Sequence, residues 1–286
     1  MFSKQRAILR LLENEGGSAT RLRLVKLAFL LSREARAPKT GVYDFVPYRR
    51  GPFSFTLYHD LRGLENGGWV VEAEHEIRTS RDPEVETALL DRAFRETIDG
   101  VSRKCRKLST SDLIADVYTQ HPWFTLNSDA MEKRAVTKPI AVPSVYTVGY
   151  EGITVDGLLD LLLRTRIDRL IDVRCNPIAR RYGFHKSTLN RLCQDVKIEY
   201  VHVPSLGVPS AWRADLDSPA SYQRLFKRYE TEVLPSQATS IARVAALVAD
   251  RATALMCMEA DHNCCHRSRL AAAVSRETSL PVKELR

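Results

Sequence analysis

Between Leu255 and Val274 the chain reads LMCMEADHNCCHRSRLAAAV. Cys257, Cys264 and Cys265 share this stretch with His262, His266, Glu259, Asp261 and Arg267, between an apolar run and an Ala-rich helix start. Three chemistries are open to such a set. Zinc needs four ligands in a tetrahedral arrangement. The donors are numerous enough, but there is no C-x-x-C pair and adjacent residues rarely both reach one ion, so the expectation is no metal and no cofactor. A thiolate is a second option, because a cysteine at a helix N-terminus beside His266 and Arg267 has its pKa lowered, and Cys265 fits if the helix starts there. The alternative for Cys265 is a small buried residue packing that helix on a sheet. The third and favoured option is an anion cradle: free N–H groups at the helix start, the fork of Arg267, and further cations from Arg174, Arg180 and Arg181.

Carboxylates accompany these cations. Glu259, Asp172 and Glu151 would stand beside a bound anion, and a carboxylate pair around a scissile bond is the equipment of general acid–base hydrolysis. Structural alternatives exist: an ion pair with Arg174 or Arg267 for Asp172, a capping role for Glu259. In RRYGFHKSTL, Tyr182, Phe184 and His185 interleave with Arg180, Arg181 and Lys186, a pattern that suits stacked bases and phosphates. A basic loop capping a sheet with two packed rings reads the same way. The candidate catalytic residues are therefore Glu259, Asp172, Cys265 and His185. The candidate substrate and phosphate contacts are Tyr150, Glu151, Arg174, Asn176, Arg180, Arg181, Tyr182, Phe184, Lys186, His266 and Arg267.

These residues fall at the ends of strands. VYTVGYEG (145–152), DRLIDVR (168–174), IEYVHVPSLG (198–207) and ATALMCMEA (252–260) are apolar runs separated by helical stretches, which predicts a Rossmann-like parallel sheet covered on both faces over 144–286. In such sheets ligands bind beyond the carboxyl ends of the strands, and each run ends in polar residues. All four ends are expected to meet in one pocket.

The first half differs. Residues 1–82 combine amphipathic helices, one of them capped by Thr20 in TRLRLVKLAFLLSREA, with a basic turn, YRRGPFS, a second helix ended by Gly67-Gly68, and an alternating stretch, WVVEAEHEIR. Helix, helix, strand and turn is the order of a winged-helix module. Arg21, Arg23, Lys26, Arg49, Arg50 and Arg62 would form a phosphate-neutralising surface, unless they only solvate an exposed helical face. Residues 83–143 read as a helical connector and linker, with a helix capped near Ser109 and a Pro139/Pro143 linker. The chain has 286 residues, a net charge of +8 and six cysteines. That charge favours a polyanionic partner, nucleic acid and DNA in particular. Cysteines this sparse make no disulfide framework. With no membrane span or signal peptide, a cytoplasmic protein is expected. The oligomeric state is not legible.

Two resemblances bear on these readings. YTVGYEG, LIDVRCNPIARRYGFHKSTL, YVHVPSLG and LMCMEADHNCCHR resemble, in order, the blocks of the domain of unknown function 488 family, over about 144–284. That resemblance implies an intracellular prokaryotic α/β domain and leaves the reaction open. LIDVR, with Cys264, Cys265, Arg267, Ser268 and Ala271, is also similar to the strand end and cysteine loop of rhodanese-like domains, although their compact glycine-bearing Cys loop is missing here. The turn and following helix near Tyr48 resemble winged-helix-like domains of prokaryotic regulators and antitoxins. Together the readings predict a DNA-binding hydrolase that removes a modified or damaged base at its N-glycosidic bond. The alternative is a winged-helix regulator whose α/β half senses a nucleotide or an oxidant through Cys257, Cys264 and Cys265.

Overall fold

A computed structural model describes residues 1–129, 140–213, 216 and 218–286. The chain divides into two compact units, 1–137 and 138–286. The linker residue Pro139 lies outside the described residues. No helix among the described residues is long and apolar enough to cross a membrane.

The first unit runs α1 (Ser3–Asn14), β1 (Ser18–Thr20), α2 (Arg21–Arg33), a short hairpin β2 (Val46–Tyr48) and β3 (Gly51–Phe53), α3 (Phe55–Asn66), then the hairpin β4 (Val70–Ala73) and β5 (Glu76–Thr79). A single turn α4 (Glu84–Thr87) leads to α5 (Arg92–Cys105) and α6 (Thr110–Gln120). β1 pairs antiparallel with β5, giving the sheet order β1-β5-β4. The caps read from the sequence are present: Thr20 accepts from Arg23 N, and Ser109 accepts from Asp112 N. The stretch expected as one strand, WVVEAEHEIR, is a hairpin. Its tip puts Glu74 and His75 at positive φ, and neither is a residue type that announces such a turn.

α2 is central. It packs against α1, α5, α6 and β3, and Leu24 to Phe29 are buried without interruption. The helices expected as a connector thus join this same core through Phe94, Ile98, Val101, Leu113 and Val117. Encirclement also corrects two phosphate contacts. Arg23 turns inward, pairing with Glu15 and donating to the carbonyls of Leu108 (2.8 Å) and Cys105 (3.1 Å). Lys26 is fully buried and donates to the carbonyls of Arg50 (2.5 Å) and Pro52 (3.2 Å), tying α2 to the β2–β3 hairpin.

The second unit is a five-stranded parallel sheet in the order β10-β6-β9-β7-β8. Its elements are β6 (Val145–Gly149), α7 (Val155–Arg164), β7 (Arg169–Asp172), α8 (Lys186–Asp195), β8 (Glu199–His202), α9 (Pro219–Arg228), a short α10 (Leu234–Ser236), α11 (Ala238–Asp250), β9 (Thr253–Cys257), α12 (Arg267–Thr278) and β10 (Val282–Leu285). The edge strand β10 was not anticipated: only Val282 and Leu285 of its four residues are apolar, and Val282 is exposed. α9, α11 and α12 share a core with Ile171, Val173, Leu255 and Cys257. The alternate residues of the strands are left to the other face, as the period of two requires.

Burial pushes the Lys26 ammonium down to about 7. Below that pH, Lys26 is charged in both folded and unfolded chains, and folding bears the cost of burying the charge. Between about 7 and 10.5 the folded chain has shed a proton that the unfolded chain retains, so stability should rise with pH in that window, by at most about 5 kcal/mol. Urea unfolding from pH 7 to pH 10 should show this gain in the native sequence and not in Lys26→Met. Equal pH profiles for the two would contradict the buried amine.

Candidate functional site

β6 and β9 are hydrogen-bonded neighbours, Gly149 opposite Cys257. From β6 the chain crosses over β9 to β7, whereas from β9 it crosses over β6 to β10. Successive connections leave these two neighbours in opposite directions, the topological switch point beside which open parallel sheets bind ligands. Tyr150 and Glu151 follow β6 at this point, and Met258 and Glu259 follow β9. The two loops are laced together: Tyr150 N donates to the Cys257 carbonyl (3.3 Å), Glu151 N to the Met258 carbonyl (2.8 Å), and Ala260 N to the Glu151 carboxylate (2.9 Å). Gly149 is required by this closeness, because a Cβ there would overlap the Glu259 carbonyl.

Cys257 is the centre of a buried cluster. Its Sγ lies 3.2 Å from Glu259 Oε2 and 3.7 Å from His266 Nδ1. Cys257, Cys265 and His266 present ligand atoms all within 4.8 Å of one another. Cys265 ends a single 3₁₀ turn (His262–Cys264), and His266 caps α12. His266 is wedged against Tyr229, ring centroids 5.3 Å apart, and its Nε2 donates to the Val173 carbonyl at 3.4 Å. The hydrogen bond from Cys265, with His266 and Glu259 alongside, holds the Cys257 thiol well below its usual pKa against the effect of burial. Burial and the charge at Cys257 raise the Glu259 carboxyl. Burial raises the Cys265 thiol, and its bond to Cys257 adds to this.

A second network adjoins it. Asp172 is fully buried at the end of β7, and all its acceptor capacity is used. Oδ1 accepts from Arg174 N (3.1 Å) and Nε (2.8 Å); Oδ2 accepts from Arg174 Nη2 (2.6 Å) and the Tyr200 hydroxyl (2.6 Å). Arg174 Nη1 also donates to the Tyr150 hydroxyl at 3.1 Å, and His202 Nε2 donates to the Arg174 carbonyl at 2.9 Å. The Tyr150 ring stacks on Phe184 at 4.1 Å.

The four strand ends therefore converge, with the roles redistributed. Asp172 and Arg174 satisfy each other and are withdrawn from acid–base work and from phosphate. Phe184 is fully buried under Tyr150, so it is no platform for a base. Arg267 is fully buried: Nη1 donates to the Glu259 carbonyl, Nη2 donates to the Ala260 carbonyl (3.1 Å) and pairs with Glu284 (3.5 Å), and Nε has no partner among the described residues. His266 is buried in the thiol cluster, so neither it nor Arg267 reaches an anion. His185 is exposed at the start of α8, beside Ser187 (3.1 Å), outside the cluster. Asn176, Arg180, Arg181 and Lys186 are exposed and Tyr182 is half-buried; Arg181 donates to the Tyr150 carbonyl at 3.2 Å. Cys257, Tyr200 and Tyr229 are the residues that sequence reasoning underrated. For Cys257 the signal was its place as the last residue of an apolar strand two before Glu259. Tyr200 and Tyr229 gave none, since their partners come from register and helix packing.

The first unit has a cleft of about 570 Å³ whose lining includes Arg21, Arg49, Arg50, Tyr48, Phe53 and Tyr58. Arg49 and Arg50 are exposed at the tip of the β2–β3 hairpin, beside Gly51 at φ +82°. Phe53 lies 4.8 Å from Tyr48 and 4.5 Å from Tyr58, ring to ring. Arg21 covers Tyr58 at 5.6 Å and pairs with Glu72; Arg49 covers Tyr48 at 5.6 Å. Arg62 is exposed on α3.

β6 and its loop precede residues 154–274, which hold α7 to α11, β7 to β9 and the loops between them. That segment matches the family described as domain of unknown function DUF488. No curated protein and no solved structure matches the chain. In the DUF488 segment the Asp172–Arg174 pair is a structural anchor by its geometry. Asp172→Asn should cost about 3–5 kcal/mol, because it leaves a buried guanidinium without its countercharge. Tyr200→Phe should cost about 1.5–3 kcal/mol for one bond to a carboxylate. Urea denaturation reads both; a loss under about 1 kcal/mol for Asp172→Asn would remove the pair from this role.

Proposed function

We propose that the chain is a nucleic-acid-binding hydrolase, with DNA held by its first unit and a nucleotide received at the carboxyl ends of β6 and β9 in its second unit. The observation that carries the reading is the basic, aromatic cleft of the first unit. Arginines at a hairpin tip suit phosphates, and a row of half-buried rings suits bases, the combination that single-stranded and unstacked nucleic acid requires. The order helix, strand, helix, short hairpin, helix, hairpin, with β1 joined to the last hairpin, supports a winged-helix reading of that unit. At the ends of β6 and β9, Glu259 and Glu151 replace Glu259 and Asp172 as the carboxylates near a substrate. Hydrolysis of the N-glycosidic bond of a modified or damaged base is the reaction this assignment favours, with Glu259 handling the proton. Six free thiols suit a reducing cytoplasm.

One observation favours the regulator instead. The thiols of Cys257 and Cys265 are buried, and Cys257 is held by Glu259 and His266, an arrangement that needs no substrate to reach it. Labelled single- and double-stranded DNA with normal and damaged bases, resolved before and after alkali, separates the two. Alkali-dependent breaks lost in Glu259→Gln, with DNA affinity kept, support the hydrolase. Retarded but intact DNA moves the assignment to the regulator, and no retardation at low salt overturns both. Replacing Arg49 and Arg50 together by Ala should flatten the slope of log affinity against log salt by about 0.9 per arginine on duplex DNA. An unchanged slope would take the hairpin tip out of the interface.

A further inference from the structure

We propose that Cys257, Cys265 and His266 form a binding site for a thiophilic divalent cation of the zinc class. The three ligand atoms lie within 4.8 Å of one another, with Cys257 Sγ and His266 Nδ1 at 3.7 Å. A tetrahedral ion with each ligand about 2.0–2.3 Å from the metal sets its ligand atoms roughly 3.3–3.8 Å apart, which the Cys257–His266 pair already meets. Two thiolates and a neutral imidazole around a dication sum to zero charge. A site at 0%, 1% and 2% exposure for Cys257, Cys265 and His266 can therefore take the ion without burying net charge.

The imidazole is already set for ligation. His266 Nε2 faces the Val173 carbonyl, which accepts its proton and leaves the Nδ1 lone pair directed toward Cys257. Metal-binding histidines are held in this way by an outer carbonyl or carboxylate. The objection raised by the sequence, that adjacent residues rarely share an ion, is met by the backbone. Cys265 is extended (φ −133°, ψ 135°) and His266 is helical (φ −60°, ψ −20°), so the chain turns between them as α12 begins. The other donors of the motif are placed elsewhere. His262 Nδ1 is 3.4 Å from the Thr147 hydroxyl, and Cys264 is exposed beside Asp261. Three protein ligands leave a fourth position, the arrangement of zinc sites that keep a water. The Glu259 carboxylate borders the cluster at Cys257. This assignment stands independently of nucleic-acid binding by the first unit.

The test uses the full chain without an affinity tag, stripped with chelator, kept reduced, and titrated with zinc chloride and separately with cobalt chloride. One equivalent of zinc per chain is expected, together with a sulfur-to-cobalt charge-transfer absorption. Cys257→Ser and Cys265→Ser should each weaken zinc binding at least about tenfold, whereas Cys264→Ser should not. X-ray absorption on the zinc-loaded native sequence needs no variant to fold and should count two sulfur ligands. Absence of the charge-transfer band in the reduced protein, a band that survives the loss of both cysteines, or fewer than two sulfurs at the zinc would overturn the assignment.

Discussion

Arg267 spends its charge on backbone. From the first turn of α12 its guanidinium reaches the carbonyls of Glu259 and Ala260, and Glu284 of β10 supplies a countercharge at 3.5 Å. A charged donor to two carbonyls in a water-free setting is among the stronger polar contacts a fold can use. It closes the loop from 258 to 266 back on the helix that follows it. The same loop meets β6 at Gly149, where nothing larger fits against the Glu259 carbonyl. Glu259 is thereby held at the β6–β9 junction, and Cys265 and His266 are returned to Cys257. Glu259, Cys265 and His266 depend on this one clamp for their position.

Beside the clamp, the Asp172–Arg174–Tyr200 network does for β7 what Arg267 does for β9. It neutralises a buried carboxylate with a bidentate fork and fixes the Tyr150 ring between Arg174 and Phe184. The strand ends are thus lined by groups that satisfy one another, with Glu151 and Glu259 the carboxylates at the β6–β9 junction. In the first unit the polarity is reversed. Lys26 and Arg23 are consumed inside, and the exposed cations include Arg49 and Arg50 on the hairpin tip and Arg62 on α3. The chain separates a surface rich in arginine and aromatic rings from a buried thiol–imidazole–carboxylate centre in another unit.

The sequence made the parallel sheet legible because β6, β7 and β9 are continuous apolar runs with polar ends. β10 escaped because an edge strand bears little burial, and the β4–β5 hairpin escaped because Glu74 and His75 adopt positive φ without a glycine. The sites were half legible. Residue types concentrated at strand ends marked loops that the fold brings together. Which of them are taken up by internal partners is set by contacts that spacing cannot reveal. Asp172 and Arg174, two apart, form a pair with each other. Arg267 points back to carbonyls. Lys26 is inward because α2 packs against α1, α5, α6 and β3, whereas its alternating basic and apolar residues read as a surface helix. Cys257, an ordinary strand residue by pattern, becomes central only once α12 is folded back on β9.

Amide hydrogen exchange through residues 258–266, compared between the native sequence and Arg267→Lys, tests the clamp most directly. Lysine keeps the charge but loses the planar fork that serves both carbonyls. The account predicts faster exchange across that loop, with amides of α1, α2 and α5 unchanged. Equal protection of 258–266 in the two proteins would contradict it.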